Sequence, residues 1–118
     1  MKIKCFTGLI VWEKGHKLVL AIYSNTKYFP DEERFGLISQ LRRSSASIYA
    51  NIAEGYKKST KEFVRYLDIA EGSLEETKYH LILSKDLNYL NESRFIELFN
   101  QYEEIGKMLN GLMQNLNR

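Results

Sequence analysis

The chain has 118 residues, 44% of them apolar and 27% charged, and its 17 basic and 15 acidic side chains leave a formal charge of +2. That length suits one domain able to bury a core without metal or disulfide support, and the apolar content excludes intrinsic disorder. One proline and seven glycines exclude collagen-like and low-complexity classes, and a single cysteine, Cys5, fits a reducing, cytoplasmic setting with no internal disulfide.

Taken in chain order, residues 1–8 read as a loosely held arm. Lys2, Lys4, Thr7 and Gly8 interrupt any signal-peptide core. Apolar runs such as Leu9 to Trp12 are far too short for a membrane span. A first helix is expected over 9–27, where Trp12, His16, Val19, Tyr23 and Thr26 step at helical spacing. Pro30 stops it, because proline lacks an N–H and disfavours helix at Phe29. A second helix, 34–56, carries a seam of Leu37, Leu41, Ser45, Ile48 and Ile52. It ends at Gly55, where a positive φ costs little. Ser59 and Glu62 have capping-box spacing. They open a third helix, 60–87, with its seam at Phe63, Leu67, Ala70, Leu74, Thr77, Leu81 and Ser84. Asn91 caps a fourth, 92–116, along which Phe95, Leu98, Tyr102, Ile105, Leu109, Leu112 and Leu116 form an unbroken a/d seam. No run alternates with period two, and the connections are short. The prediction is an all-α domain over 9–118, an antiparallel up-down-up-down four-helix bundle.

The second helix has an additional pattern. Gln40, Arg43, Ser47, Asn51 and Glu54 form a polar stripe about 120° from its apolar seam, by helical geometry. Small residues (Ser44, Ser45, Ala46, Ala50 and Ala53) surround both stripes. One reading is an ordinary solvated face. The other is a polar network buried at a subunit interface, where each amide and carboxylate must find a partner.

Charge is unevenly spread along the chain. Residues 1–65 carry 12 basic and 6 acidic side chains, whereas residues 66–118 carry 5 and 9. The basic excess concentrates in Arg42, Arg43, Lys57, Lys58, Lys61 and Arg65. Cations at the start of the third helix oppose its macrodipole. A phosphate-binding role explains that cost, and Tyr49, Tyr56 and Tyr66 lie nearby in sequence for base stacking. The competing reading is a solvated turn with ion pairs such as Arg65 with Asp68.

Enzymatic chemistry finds little support. A di-iron bundle needs two Glu-x-x-His motifs with two further glutamates. Glu13 to His16 supplies one such motif, but His80 has Thr77 where the glutamate is required. His16 lies on the first helix's predicted seam and reads as a packed core histidine. No residue stands out as a catalytic nucleophile, and no cofactor or metal is expected. Gly72, Gly106 and Gly111 fall inside helical patterns, where they read as points of close helix approach rather than a phosphate loop.

Several motifs together resemble one family. They are Val11-Trp12, Phe29-Pro30, Gln40-Leu41-Arg42-Arg43, Ser47-Ile48, Asn51-Ile52-Ala53-Glu54-Gly55, Lys61-Glu62-Phe63 with Arg65, Gly72-Ser73-Leu74-Glu75, and Glu104 to Leu109. From about residue 9 onward the chain resembles the 23S rRNA intervening-sequence protein family, also called the four-helix-bundle protein family. One departure is Gly8, where members often carry an acidic residue. The resemblance implies a bacterial, non-enzymatic bundle that assembles as a homopentamer. It also implies a link to nucleic acid, since a relative acts as the accessory protein of diversity-generating retroelements and binds a reverse transcriptase. Gln40, Arg42, Arg43, Ser47, Asn51, Glu54 and Gly55 match the family's most characteristic positions. The resemblance favours the interface reading of the polar stripe. It also turns one basic cluster (Arg42, Lys57, Lys58, Lys61 and Arg65) into a repeated ring of charge with avidity for RNA or DNA. A scaffold that recruits a nucleic-acid enzyme such as a reverse transcriptase is the alternative.

Overall fold

A computed structural model describes residues 5–117. Four helices account for most of them: α1 (Ile10–Thr26), α2 (Leu37–Gly55), α3 (Thr60–Asp86) and α4 (Glu92–Leu116). Single 3-10 turns at Phe6–Gly8 and Asp31–Glu33 precede α1 and α2, and there is no strand among the described residues. The molecule measures 44 × 25 × 23 Å. A helix as long as α3 spans about 40 Å, so the helices run along the long axis. α2 packs most extensively on α3, α3 on α4, and α1 on both α2 and α4. Among the described residues, the backbones of α1 and α3, and of α2 and α4, do not approach. The four helices therefore occupy the corners of a square. Paired residues run in opposite senses: Ser44 meets Thr77 and Ser47 meets Ser73, while Gly55 meets Tyr66.

The helix ends follow local chemistry. The Ser59 hydroxyl accepts from the Glu62 N–H at 3.2 Å, and the Asn91 side chain accepts from the Arg94 N–H at 2.8 Å. The start of α2 is capped from outside the helix. Glu33 Oε1 accepts from the Leu37 N–H at 3.1 Å, and its Oε2 accepts from the Tyr89 hydroxyl at 3.0 Å. One carboxylate thus ties the α1–α2 connection to the α3–α4 turn, and the hydrogen bond to it, with desolvation and its charge adding, holds the Tyr89 phenol above its usual range. That second turn contains the one described non-glycine residue with positive φ, Asn88 at 65°. Asparagine tolerates this conformation better than most residues.

All seven predicted seam residues of α3 are buried, as are the five of α2. In α4 the central four, Leu98 to Leu109, are buried and the outer three are half-buried. The α1 seam is rotated from its expected position. Val11, Gly15, Leu18 and Ile22 face the core, together with Val19 and Thr26. Tyr23 and His16 are exposed and Trp12 is half-buried. His16 is therefore not a core histidine but stacks on Trp12, with ring centroids 5.0 Å apart and planes 8° apart. The physical reason is that residues 18–23 are all apolar, so periodicity alone does not fix the face, and Gly15 contributes no side chain to the pattern. Gly55 also departs from expectation. Its φ is not positive. Its role is close approach, since a Cβ there would lie 2.6 Å from Tyr66 Cβ.

The N-terminal arm lies partly outside the described residues, which begin at Cys5. From there, the Phe6–Gly8 turn packs on α1 and α2, and Phe6 meets Trp12 edge-on at 5.2 Å.

Candidate nucleic-acid interface

The α2–α3 turn is short because Gly55 lets Tyr66 fold against the end of α2. The Lys58 N–H then closes the turn on the Gly55 carbonyl at 3.1 Å. This projects Lys57, Lys58 and Lys61 into solvent, all three exposed. Among the described residues no carboxylate lies within ion-pair distance of these three lysines. Lys58 Nζ sits 5.8 Å from the Tyr66 ring centre. Arg65 is also exposed, and its partner is Glu62 at 3.8 Å rather than Asp68. An exposed pair at that distance is weak. Lys57 also reaches toward the N-terminal turn. The Cys5 thiol is held below its usual range chiefly by the Thr7 hydroxyl, and the Lys57 charge adds to this.

Arg42 does not join this group. It lies fifteen residues before Lys57, about 22 Å along the helix axis. Its Nε donates to Thr26 Oγ1 at 2.9 Å and its Nη2 to the Tyr23 carbonyl at 3.3 Å, with the guanidinium 4.5 Å from the Tyr23 ring centre. Arg42 therefore satisfies the C-terminal end of α1, where carbonyls lack helical partners.

The polar stripe of α2 is partnered by α3. Arg43 donates to Gln40 Oε1 through Nε at 3.1 Å and Nη2 at 2.8 Å, and it pairs with the Glu76 carboxylate. Glu76 Oε2 also lies 3.1 Å from His80 Nε2. One turn inward, the Thr77 hydroxyl donates to Ser44 at 2.9 Å, in full burial. Ser47 and Ser73 hydroxyls are 3.0 Å apart, and Asn51 Nδ2 donates to the Ser47 carbonyl at 2.8 Å. Gln40 and Arg43 thus cluster with Glu76 and His80, and Ser47 and Asn51 with Ser73, as successive parts of a polar network along the α2–α3 groove, and exposed Glu54 stands beyond its end. Glu76, Ser73 and His80 complete the network from α3 and do not stand out when α2 is read alone. Their own helical spacing, Ser73-Glu76-His80, is the sequence signal for them. His80 Nδ1 is buried without a hydrogen-bond partner.

No group of three His, Cys, Asp or Glu side chains among the described residues is arranged to hold a metal ion. His16 and His80 lie on α1 and α3, whose backbones do not approach. Among the described residues no helix is long and apolar enough to cross a membrane.

These features define a class: a small four-helix protein with an unpaired basic cap at one turn and a polar network along one helix pair. The comparisons place it further. The 23S rRNA-intervening sequence protein model matches residues 7–111, and the chain belongs to that family. A solved structure from Bacteroides thetaiotaomicron VPI-5482, described as a protein of unknown function from the S23 ribosomal protein family, is similar at 28% identity. It has a TM-score of 0.79, with 88% of this chain and 98% of that one covered. No curated protein matches the chain.

Proposed function

We propose that this chain is a non-enzymatic, cytoplasmic protein that assembles with copies of itself and binds RNA or DNA with low sequence specificity. The exposed turn of Lys57, Lys58, Lys61 and Arg65 is its phosphate-contacting surface. The observation that carries the reading is the absence, among the described residues, of any carboxylate paired with those three lysines. Unpaired cations at a helix start cost stability unless an anion meets them, and phosphate neutralisation with counterion release supplies that favourable term. Membership of the 23S rRNA-intervening sequence protein family supports a nucleic-acid setting.

The opposite senses of the paired residues along α2 and α3 support an antiparallel up-down-up-down bundle. Self-association draws on the α2–α3 network, which Ile69 and Tyr79 flank as exposed apolar side chains, 47% and 58% accessible. The subunit number, five, comes from the family resemblance. The same exposed apolar pair favours a second reading, a scaffold that recruits a nucleic-acid enzyme such as a reverse transcriptase.

A salt titration of RNA binding tests the first reading. Replacing Lys57, Lys58, Lys61 and Arg65 by alanine together lowers affinity and flattens the salt slope by roughly 0.7–0.9 per lost phosphate contact. Unchanged affinity and slope overturn it. A partner enzyme retained after nuclease treatment supports the scaffold.

A further inference from the structure

α1 and α2 leave an open groove of about 320 Å3 between them, lined by Phe6, Trp12, His16, Val19, Tyr49 and the small residues Ala46, Ala50 and Ala53. That is near the lower end, ~300 Å3, of pockets that hold small organic ligands. Buried Val19 and Tyr49 lie at its base, the alanines flank it on the α2 side, and the Trp12–His16 stack with Phe6 edge-on to Trp12 flanks it on the α1 side. Lys57 follows Ala53 by four residues in the turn just beyond α2, and the Phe6–Gly8 turn packs on α2, so the lysine lies toward the end of the groove lined by Ala53 and Phe6. The Lys57 charge is felt at Cys5, next to Phe6, which places it over the same end. Glu13 and Glu54, exposed neighbours of Trp12 and Ala53, are the nearby acidic residues in sequence.

We propose that this groove takes an unpaired nucleobase, held against the preformed Trp12–His16 stack while Lys57 contacts the adjoining phosphate. The inference rests on the nucleic-acid reading above and narrows it to single strands. Stacking on aromatic rings tolerates any base, because every base has a π-face, and a base within a duplex presents none. A flat apolar slot with a cation toward its end complements a nucleotide, with the apolar ring inside and the charged phosphate outside. At its base Val19 and Tyr49 belong to the core, whereas Ala50 and His16 on its rim are exposed and His16 takes no part in the helix packing.

Trp12 is the only tryptophan, so its fluorescence reports on the groove directly. The experiment titrates the full chain with labelled oligouridylate and with an RNA duplex of equal length, following label anisotropy and Trp12 emission together. The expected result is binding of the single strand with a change in Trp12 emission, and duplex binding without one. Ala50→Leu, which fills the slot, and His16→Ala, which shortens the stack, each weaken single-strand binding about tenfold and leave duplex binding unchanged. Binding seen in anisotropy with Trp12 emission unmoved, and with both variants behaving as the parent, overturns this inference while leaving phosphate contact by the lysines standing. Loss of Trp12 exposure on self-association alone, without RNA, assigns the groove to a second copy and overturns it as well. No binding of either RNA at low salt overturns both readings.

Discussion

The ring of Tyr49 lies directly over Gly15: a Cβ placed on that glycine would stand 1.7 Å from Tyr49 Cε1 and 2.2 Å from Cζ. Tyr49 is only 3% exposed, so its ring has nowhere to retreat. The glycine is what lets α1 and α2 close over an aromatic side chain. Gly15→Ala therefore destabilises the fold by about 1–3 kcal/mol, the range for overpacking, in spite of the ~1 kcal/mol gain in helix propensity. Denaturant unfolding measures it. In combination with Tyr49→Leu the two losses fall short of additive, because the smaller side chain relieves the clash.

Gly72 and Gly111 behave in the opposite way. A Cβ at either would meet nothing within 4 Å. Both lie inside helices, with no positive φ to require glycine. Close helix approach, expected for all three internal glycines, holds only at Gly106, where Leu74 Cδ2 would be 3.2 Å away. Gly72→Ala and Gly111→Ala each raise stability by about 0.5–1 kcal/mol in thermal or chemical unfolding of the dissociated chain. If Gly72→Ala instead impairs self-association, then the outer face of α3 meets another chain there.

Much of this was legible in the sequence where one face of a helix is apolar and the rest is not. α3 shows this best: its seven seam residues are all buried, because polar neighbours leave one register. α1 fails for the converse reason, since residues 18–23 satisfy several registers at once and the residue that sets the true one, Gly15, has no side chain. The candidate site shows the same limit. The lysines of the α2–α3 turn are close in sequence and remain close in space. Arg42 shares their charge and lies on the helix that leads into that turn, yet its environment is set by Tyr23 and Thr26 on another element. The polar stripe could be drawn on α2, but its partners Ser73, Glu76 and Thr77 lie at least 26 residues on. Helical periodicity within α2 does not reach that far.

Arg42 provides a prediction that separates structure from binding. Arg42→Ala removes the donors to Thr26 and to the Tyr23 carbonyl and costs roughly 1–2 kcal/mol of stability, since a hydrogen bond from a charged group contributes more than a neutral one. The salt slope of RNA binding stays at its parental value, because the guanidinium is engaged within the fold. A slope reduced by nearly one unit would return Arg42 to the phosphate-contacting set.

The Thr77–Ser44 pair is fully buried, and its members are satisfied largely by each other and by carbonyls of their own helices. Thr77→Val keeps the shape but removes the donor to the Ser44 oxygen, whose own proton still reaches the Leu41 carbonyl, and costs about 0.5–1.5 kcal/mol. Adding Ser44→Ala removes the under-satisfied oxygen and recovers part of the loss. A double-mutant cycle by urea unfolding reads the coupling. A coupling of zero would mean that the two hydroxyls act independently.

Alkaline pH tests the centre of the bundle. Burial raises the phenols of both Tyr49 and Tyr102 far above their usual value of 10.0; the second phenol reinforces the rise at Tyr49, and the Ser45 hydroxyl opposes it at Tyr102. Tyr49's hydroxyl has no hydrogen-bond partner, and Ser45, the polar neighbour of Tyr102, directs its own proton to the Arg42 carbonyl and leaves that phenol without a well-formed bond. A group whose pKa is raised in the folded state binds its proton more tightly there than in the unfolded chain. Its contribution is therefore fully present below pH 10 and is lost as pH climbs above it, by roughly 1.4 kcal/mol per phenol per pH unit. Stability measured by urea unfolding should be flat from neutral pH to about 10, as far as these phenols govern it, and then fall steeply. Ultraviolet titration should show two of the eight tyrosines ionising only with unfolding. Tyr49→Phe and Tyr102→Phe remove an unsatisfied polar atom without changing ring volume. Each should leave stability at neutral pH unchanged or raised, and together they should remove the share of the alkaline loss due to these two phenols, leaving that of Tyr89. A parent chain whose eight tyrosines all titrate while the helical circular dichroism is intact would show that water reaches both hydroxyls.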